Sequence, residues 1–345
     1  MATHEQITAR NGRLRYTTDR QPGFQRKRCG TGFRYVTADG KPVNRVEVRR
    51  IRELTIPPAW EQVWICPYPN GHLQVTGRDA KGRKQYLYHS QWHAIQKETK
   101  FHRLIEFGRV LPRIRRRVGR DLRLPGLPRE KVVAAVVRLL ERTHIRVGNP
   151  EYAEENQSFG LSTMRDRHVQ VRGHRLQFRF RGKSGKFHEV DLANKRLARI
   201  VKRCQDLPGY ELFQYIDAAG ETRNMTSEDV NDYLRAIAGE EFSAKDFRTW
   251  AGTTLAAKIL QRAGEDDNEE PSESTLVKAI DEVAAALGNT RAVCRKYYIH
   301  PAIMDAYLSG TLTQSFTDQS PRATRTGLSS EEAAVLRFLK RRRAL

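Results

Sequence analysis

Residues 288–300 read GNTRAVCRKYYIH and place two tyrosines, Tyr297 and Tyr298, directly behind an Arg-Lys pair. A phenol ionises near pH 10, at about its model-peptide value. It becomes a nucleophile only with activation or with a strongly stabilised transition state. Attack on a phosphodiester is the chemistry that fixed positive charge would serve, because charge builds on the non-bridging oxygens. Guanidinium forks suit those oxygens by donating two parallel hydrogen bonds. A tyrosine of this kind therefore needs at least two placed arginines and an acid for the departing alkoxide.

The chain offers candidates. Arg146 lies in HIRVGNPEY, where a helical pattern gives way to a Gly-Asn-Pro loop. Arg248 lies in AKDFRTWAGTTLA, early in a helix. Lys183 sits in RGKSGK, at the expected tip of a hairpin, where a long side chain can reach a substrate. Asn289 precedes the tyrosine segment and can donate an amide N–H. Taken singly, each basic residue reads equally well as a solvated surface charge, since the chain carries 62 Lys and Arg. Most tyrosines, likewise, simply pack. Spacing alone does not choose.

Composition narrows the partner. The 345 residues carry a formal net charge of +22, with 39% hydrophobic residues. Such an excess opposes compaction through self-repulsion, so a polyanion is the expected partner, with nucleic acid first and an anionic membrane surface as rival. No stretch approaches the roughly 20 apolar residues of a membrane span. The first residues lack an apolar signal-peptide core. Cys29, Cys66, Cys204 and Cys294 are far apart and form no CxxC, and no HExxH or phosphate-binding P-loop occurs. The expectation is a reduced, cytoplasmic, nucleoid-associated protein that uses neither metal nor ATP.

The elements that must hold these residues divide the chain. Residues 1–95 are rich in short alternating runs with Gly and Pro, and read as a small β domain. RYVTADGKPV holds a DG turn, and HLQVTGRDAKGRKQYLYH reads as strand, loop, strand. Residues 96–315 read as a larger, mostly helical domain. LPREKVVAAVVRLLERTHIRVGN places Val132, Val133, Val136, Val137 and Leu140 on one face, with Pro128 at the start and Gly148 near the end. Leu176, Phe178 and Phe180 alternate with Gln177, Arg179 and Arg181, so a β-hairpin interrupts the helices near 168–190. Thr226 and Ser243 are expected N-caps, Gly288 a helix stop, and Thr290 the cap of the tyrosine helix. Residues 316–345 form a basic tail with a short amphipathic helix candidate.

Four strings occur in order: IRVGNPEYAEENQSFGLSTMRDRHV, FRFRGKSGKFHEV, KDFRTWAGTTLA and GNTRAVCRKYYIHP. Together with TGRDAKGRKQYLYH they resemble the type IB DNA topoisomerases, specifically the compact poxvirus-like and bacterial branch. The resemblance spans roughly residues 25–310. It implies an α+β fold, with a small β-rich lobe and a larger α-rich catalytic lobe forming a clamp around duplex DNA. It implies relaxation of supercoils by transient single-strand cleavage through a 3′-phosphotyrosyl intermediate, with no cofactor, by a monomer. Residue by residue, it makes Tyr298 rather than Tyr297 the nucleophile. Arg146 and Arg248 hold the scissile phosphate, and Lys183 is the general acid. Asn289 stands where many members have His, which removes acid–base chemistry there but keeps hydrogen-bond donation. Tyr152 aligns with a phosphate contact, and Arg83, Gln85, Tyr86 and Tyr88 align with DNA-contacting positions.

Two other readings stay open at this level. A tyrosine recombinase or integrase uses a similar Tyr, Arg and basic-residue site, although GRDAKGRKQYLYH argues against it. A non-catalytic basic DNA-binding protein would simply pack its tyrosines. The acidic stretch GEDDNEEPSES at 264–274 lacks EF-hand spacing and reads as a solvated loop. His89, His93 and His102 are poorly spaced for zinc. RIRRRVGRDLR at 113–123 reads either as a phosphate-tracking element or as a charged helix face.

Overall fold

The computed structural model describes residues 6, 9, 12–239, 242–264, 270–317 and 327–343, without the side chains of 93, 94, 96–100, 102, 152, 184, 314, 315, 317 and 343. Helix and strand are mixed, and the chain divides into two compact units, Met1–His102 and Arg103–Leu345.

The first unit is built on an antiparallel sheet of five strands in the order β2-β1-β3-β4-β5. The strands are β1 (Phe24–Cys29), β2 (Gly32–Val36), β3 (Glu61–Ile65), β4 (Leu73–Arg78) and β5 (Lys84–Tyr88). One face carries a core of Ile51, Val63, Ile65 and Val75, flanked by Phe24, Tyr35, Trp60 and Leu87. Each such fully buried aliphatic side chain stabilises the fold by about 1.5–3 kcal/mol. Ile51 comes from a helix absent from the β reading of this region, α1 (Arg45–Glu53). Asn44 caps it by accepting from the Glu47 N–H at 2.9 Å. The DG turn forms as expected, with Gly40 at φ 84°.

Helix α2 (Ser90–Asp121) begins in the first unit, and its residues from Arg103 onward belong to the second. The segment 113–123 therefore lies largely on a helix. In the second unit, α3 (Arg129–Thr143) is the most buried element: Lys131 to Val137 are all inaccessible, not only one face. After it comes α4 (Pro150–Asn156), and against it pack α5 (Lys195–Gln205), α6 (Ser227–Ala238) and α7 (Ala244–Ala263). The chain continues through α8 (Glu273–Leu287), α9 (Arg291–Tyr297), α10 (Pro301–Leu308), α11 (Leu312–Thr317) and α12 (Ser330–Arg343). The interrupting hairpin is the larger part of a three-stranded sheet, β6 (Val169–Arg172), β7 (Arg175–Arg181) and β8 (Phe187–Ala193). Leu176, Phe178 and Phe180 are its buried face. A short ribbon, β9 (Gln214–Ile216) and β10 (Thr222–Asn224), lies between α5 and α6.

The caps at Thr226, Ser243, Gly288 and Thr290 all fall where the sequence places them. The end of α3 does not. The helix stops at Thr143, and His144, in the left-handed region at φ 56°, terminates it. The Thr143 hydroxyl bonds back to Leu139 O at 2.7 Å and accepts from the Ile145 N–H at 3.3 Å, which closes the last turn early. Gly148 instead belongs to the following loop. Pro128 is the N-cap residue rather than a first-turn residue.

Residues 330–343, set apart on sequence as part of a basic tail, are a helix packed on α7. Arg115 of α2 donates to Glu141 of α3 at 2.5 Å and to both Glu332 oxygens of α12 at 2.7 Å. Glu332 also accepts from the Trp250 indole of α7 at 3.0 Å. Trp250 in turn closes an aromatic cluster with Phe107, Phe242 and Phe247. Of the acidic stretch, 265–269 lie outside the described residues, as do 318–326 and the side chains of His93 and His102. Among the described residues no helix is long and apolar enough to cross a membrane, and no His/Cys/Asp/Glu cluster of metal-binding geometry occurs. All four cysteines are free.

Two stability predictions follow from this packing. Replacing Glu332 by Ala removes one of the two carboxylates on Arg115 and leaves the Trp250 N–H unpaired, at a cost of roughly 3 kcal/mol. Urea denaturation should show a lowered midpoint with an unchanged slope. His168 is buried against Phe159, and its Nδ1 accepts from the Arg165 N–H at 3.1 Å. Burial, and then Arg167 and Arg165, push its pKa down to about 4. The unfolded chain therefore takes up this proton first as the pH falls. The stabilisation is complete above pH ~6.5 and lost toward pH 4, by up to roughly 3 kcal/mol. His168→Phe should flatten that part of the stability–pH curve; an unchanged curve would rule the effect out.

Candidate active site

Arg248 is the most deeply buried cation among the described residues of the second unit, 4% exposed. It lies one turn into α7, whose start is fixed by Asp246, which accepts from the Ser243 N–H at 2.9 Å and pairs with Arg103 at 2.8 Å. The guanidinium donates to two carbonyls at helix ends: His144 O, the cap of α3, and Leu287 O, the last residue of α8, the latter at 2.6 Å. These carbonyls have no intrahelical partner and carry the negative end of each helix dipole. Arg248 thus joins two helix C-termini. Burial first, and then the neighbouring Arg146 charge, pull its pKa down, while Tyr298 opposes the shift. Its Nε is buried without a partner.

Arg146 stands in the extended loop that His144 opens. The loop is bound by backbone: Leu161 N donates to Arg146 O at 2.9 Å and Ser162 N to Val147 O at 2.6 Å. The approach is close enough that a methyl group on Gly160 would lie 2.5 Å from Gly148 N. The Arg146 guanidinium donates to the Asn289 side-chain oxygen. Asn289 follows the left-handed Gly288, and its own N–H returns to Ala284 O at 2.9 Å. Its Nδ2 is buried beside the Cys294 thiol and has no oxygen or nitrogen acceptor among the described residues. Burial raises that thiol's pKa.

Tyr298 and Tyr297 have different surroundings. Tyr298 ends α9, donates its N–H to Cys294 O at 3.0 Å, and is half-buried. Its ring centre lies 5.3 Å from the Arg248 guanidinium carbon. The Tyr298 carbonyl accepts from Thr253 at 3.3 Å. It also lies so near α7 that a methyl on Gly252 would be 2.6 Å away, so glycine is required at this helix-interior position. Tyr297 is 45% exposed, with the Lys296 ammonium over its ring.

The structure therefore brings Tyr298, Arg248, Arg146 and Asn289 together, from four stretches spread over more than 150 residues. Lys183 is exposed at the β7–β8 tip, where Lys183–Gly185 form a short 3-10 turn. It makes no hydrogen bond or ion pair among the described residues. The neighbouring Lys186 does reach the cluster, donating to Asn289 O at 2.9 Å. Sequence reasoning did not single out Lys186 or Cys294. The signal for Lys186 was its place in the same GKSGK turn. The Tyr152 side chain lies outside the described residues.

In the first unit, Arg83 and Gln85 share one partner. Asp79 accepts from Arg83 Nε and from Gln85 Nε2, each at 2.9 Å. The Arg83 hydrogen bond holds this carboxyl down to about 2. Tyr86 is 47% exposed and stacks on Tyr88 with ring centroids 6.1 Å apart, so the two share a strand face. Leu87, between them in sequence, packs into the core on the other side. Asp79, which orders the first pair, was also missed.

Phenol, guanidiniums and amide together make a site for a tetrahedral oxyanion. The comparisons with known proteins agree with that chemistry. A family model described as the catalytic core of eukaryotic DNA topoisomerase I matches residues 89–320, and one described as the N-terminal domain of bacterial DNA topoisomerase IB matches residues 32–79. The chain is 30% identical over 293 residues to DNA topoisomerase 1B of Acanthamoeba polyphaga mimivirus, covering 83% of this chain and 87% of the viral protein. It is 22% identical over 273 residues to DNA topoisomerase 1B of Vaccinia virus, covering 78% and 83%. The match to DNA topoisomerase 1 of Mycosarcoma maydis, 23% identical over 214 residues, covers 56% of this chain and 21% of that longer protein. The chain belongs to the type IB DNA topoisomerases.

Proposed function

We propose that Tyr298 is the nucleophile that opens one strand of duplex DNA. The phenol oxygen attacks a backbone phosphorus as it gives up its proton. The 5′ oxygen departs with a proton from Lys183, leaving a 3′-phosphotyrosyl link and a free 5′-hydroxyl. Arg146 and Arg248 pair with the non-bridging oxygens as charge accumulates there, and the Asn289 amide donates a further hydrogen bond. The free end rotates, torsion dissipates, and the 5′-hydroxyl attacks the phosphotyrosine to restore the backbone. Because one phosphodiester is exchanged for another, no nucleotide hydrolysis is needed. The observation that carries this reading is the Tyr298 ring 5.3 Å from a buried guanidinium, with a second guanidinium bonded to the Asn289 amide beside it.

Two-lobed enclosure of the duplex completes the proposal, with the chain acting as a monomer on nucleoid DNA in the cytoplasm. What supports it is the basic excess of the sequence and the exposed edge of β5. There Arg83 serves a phosphate, Gln85 a base edge, and Tyr86 and Tyr88 hydroxyl contacts. Tyr152 is assigned a phosphate contact in the second unit.

Purified protein in EDTA without nucleotide should relax supercoiled plasmid of any sequence and leave a detergent-trapped covalent adduct. Tyr298→Phe should bind DNA with affinity near that of the parent and form no adduct; an adduct with this variant would refute the assignment, while Tyr297→Phe should remain active. Lys183→Ala should cleave at least about a hundredfold slower, in the range of a lost general acid. A substrate with sulfur as the 5′ leaving atom should restore most of that rate, since a thiolate leaves without a proton. Persistence of the defect on sulfur would exclude the acid role.

A further inference from the structure

His188 has no part in the mechanism above, yet it lies at the junction of two elements that do. It stands opposite Phe180 in the β7–β8 register and stacks on that ring at 5.1 Å and 11°. Bare backbone encloses both its edges. A methyl group on Gly182 would sit 2.6 Å from Cδ2 and 2.7 Å from Nε2, and one on Gly288 would sit 2.1 Å from Cε1. Gly182 immediately precedes Lys183, and Gly288 immediately precedes Asn289. Among the described residues the imidazole has no hydrogen-bond partner, so its contacts are those of shape. Burial, and then the charges of Arg146, Arg248 and Lys186, hold its pKa below the ordinary range, so the ring sits uncharged among three cations. The Lys186 bond to Asn289 O is the other tie between hairpin and loop, and Lys186 is exposed.

We propose that His188 is a positioning residue for strand cleavage: its ring, clasped between Gly182 and Gly288, sets where the hairpin carries Lys183 relative to the cluster of Arg146, Asn289 and Tyr298. This rests on the reading of Lys183 as proton donor. A smaller side chain at 188 leaves a gap one ring wide and lets the hairpin settle or swing. A larger residue at 182 pushes the ring out from the other side. Neither change alters any group that touches the phosphate.

Three measurements test it. His188→Ala should slow single-turnover cleavage by roughly tenfold to a hundredfold, the penalty of an ångström-scale misplacement, with duplex affinity unchanged. Its loss should be largely recovered on the 5′-sulfur substrate, as for Lys183→Ala. Gly182→Ala, at an extended backbone position, should be slow alone but should add nothing in the His188→Ala background, because the atoms it would strike are gone. Full-rate cleavage by His188→Ala overturns the proposal. So does a defect that survives on sulfur while that of Lys183→Ala is relieved, or independent, multiplicative losses in the double variant. If Lys183→Ala itself is not relieved by sulfur, the acid role fails separately, and the non-additivity of positions 182 and 188 alone decides the case for His188. Folding of each variant is checked by its urea midpoint.

Discussion

A single buried guanidinium organises the second unit. Arg248 could not remain charged at that depth without acceptors, and it takes them from the exposed carbonyls at the ends of α3 and α8. Each partner resolves a difficulty for the other: the cation loses its hydration but gains dipole ends, and two helices end in the interior without orphaned acceptors. Arg146 follows two residues after one of those ends, and Asn289 two residues after the other. The same contact that satisfies Arg248 therefore brings Arg146 and Asn289, assigned above to the phosphate, into register with it.

Around this junction, stability and chemistry are kept apart. The Arg115–Glu141–Glu332 network and the Trp250 cluster hold α2, α3, α7 and α12 together, with two carboxylates on one guanidinium. The cluster itself is left with uncompensated positive charge. Burial and then Arg146 lower the pKa of Arg248, and burial and then Arg146 and Arg248 lower that of His188. An anion entering such a site relieves repulsion that the protein has already accepted, which is the electrostatic preorganisation a developing phosphorane requires.

Much of the fold was legible because local signals were strong. The unbroken apolar run of α3, the period-two alternation of β7 and the caps at Thr226, Ser243 and Gly288 each rest on interactions within a few residues. Where the reading failed, the deciding contact was distant or the pattern thin. Helix α1 buries one aliphatic residue, Ile51, and its other two, Val46 and Val48, alternate with charged residues as a strand would, so no helical apolar face announces it. Strands β9 and β10 have three residues each. The end of α3 is set by a hydroxyl and a left-handed histidine, not by the nearby glycine that sequence rules favour. For the site, residue type narrowed the field and resemblance chose Tyr298 over Tyr297, while packing gives the two tyrosines different surroundings: one beside Arg248, the other 45% exposed. Lys186 shares the GKSGK turn with Lys183, but its partner is 103 residues away, so nothing local marks its contact.

Gly252 has a dynamical consequence. Its missing side chain lets α7 touch the backbone of Tyr298 directly, one turn beyond Arg248 on the same helix. Because main chain rests on main chain, a thermal excursion of α7 carries the phenol and its guanidinium together. Backbone contact at Gly252 thus ties the segment that carries Tyr298 to the helix that carries Arg248, and in the proposed reaction it ties the attacking atom to its phosphate ligand.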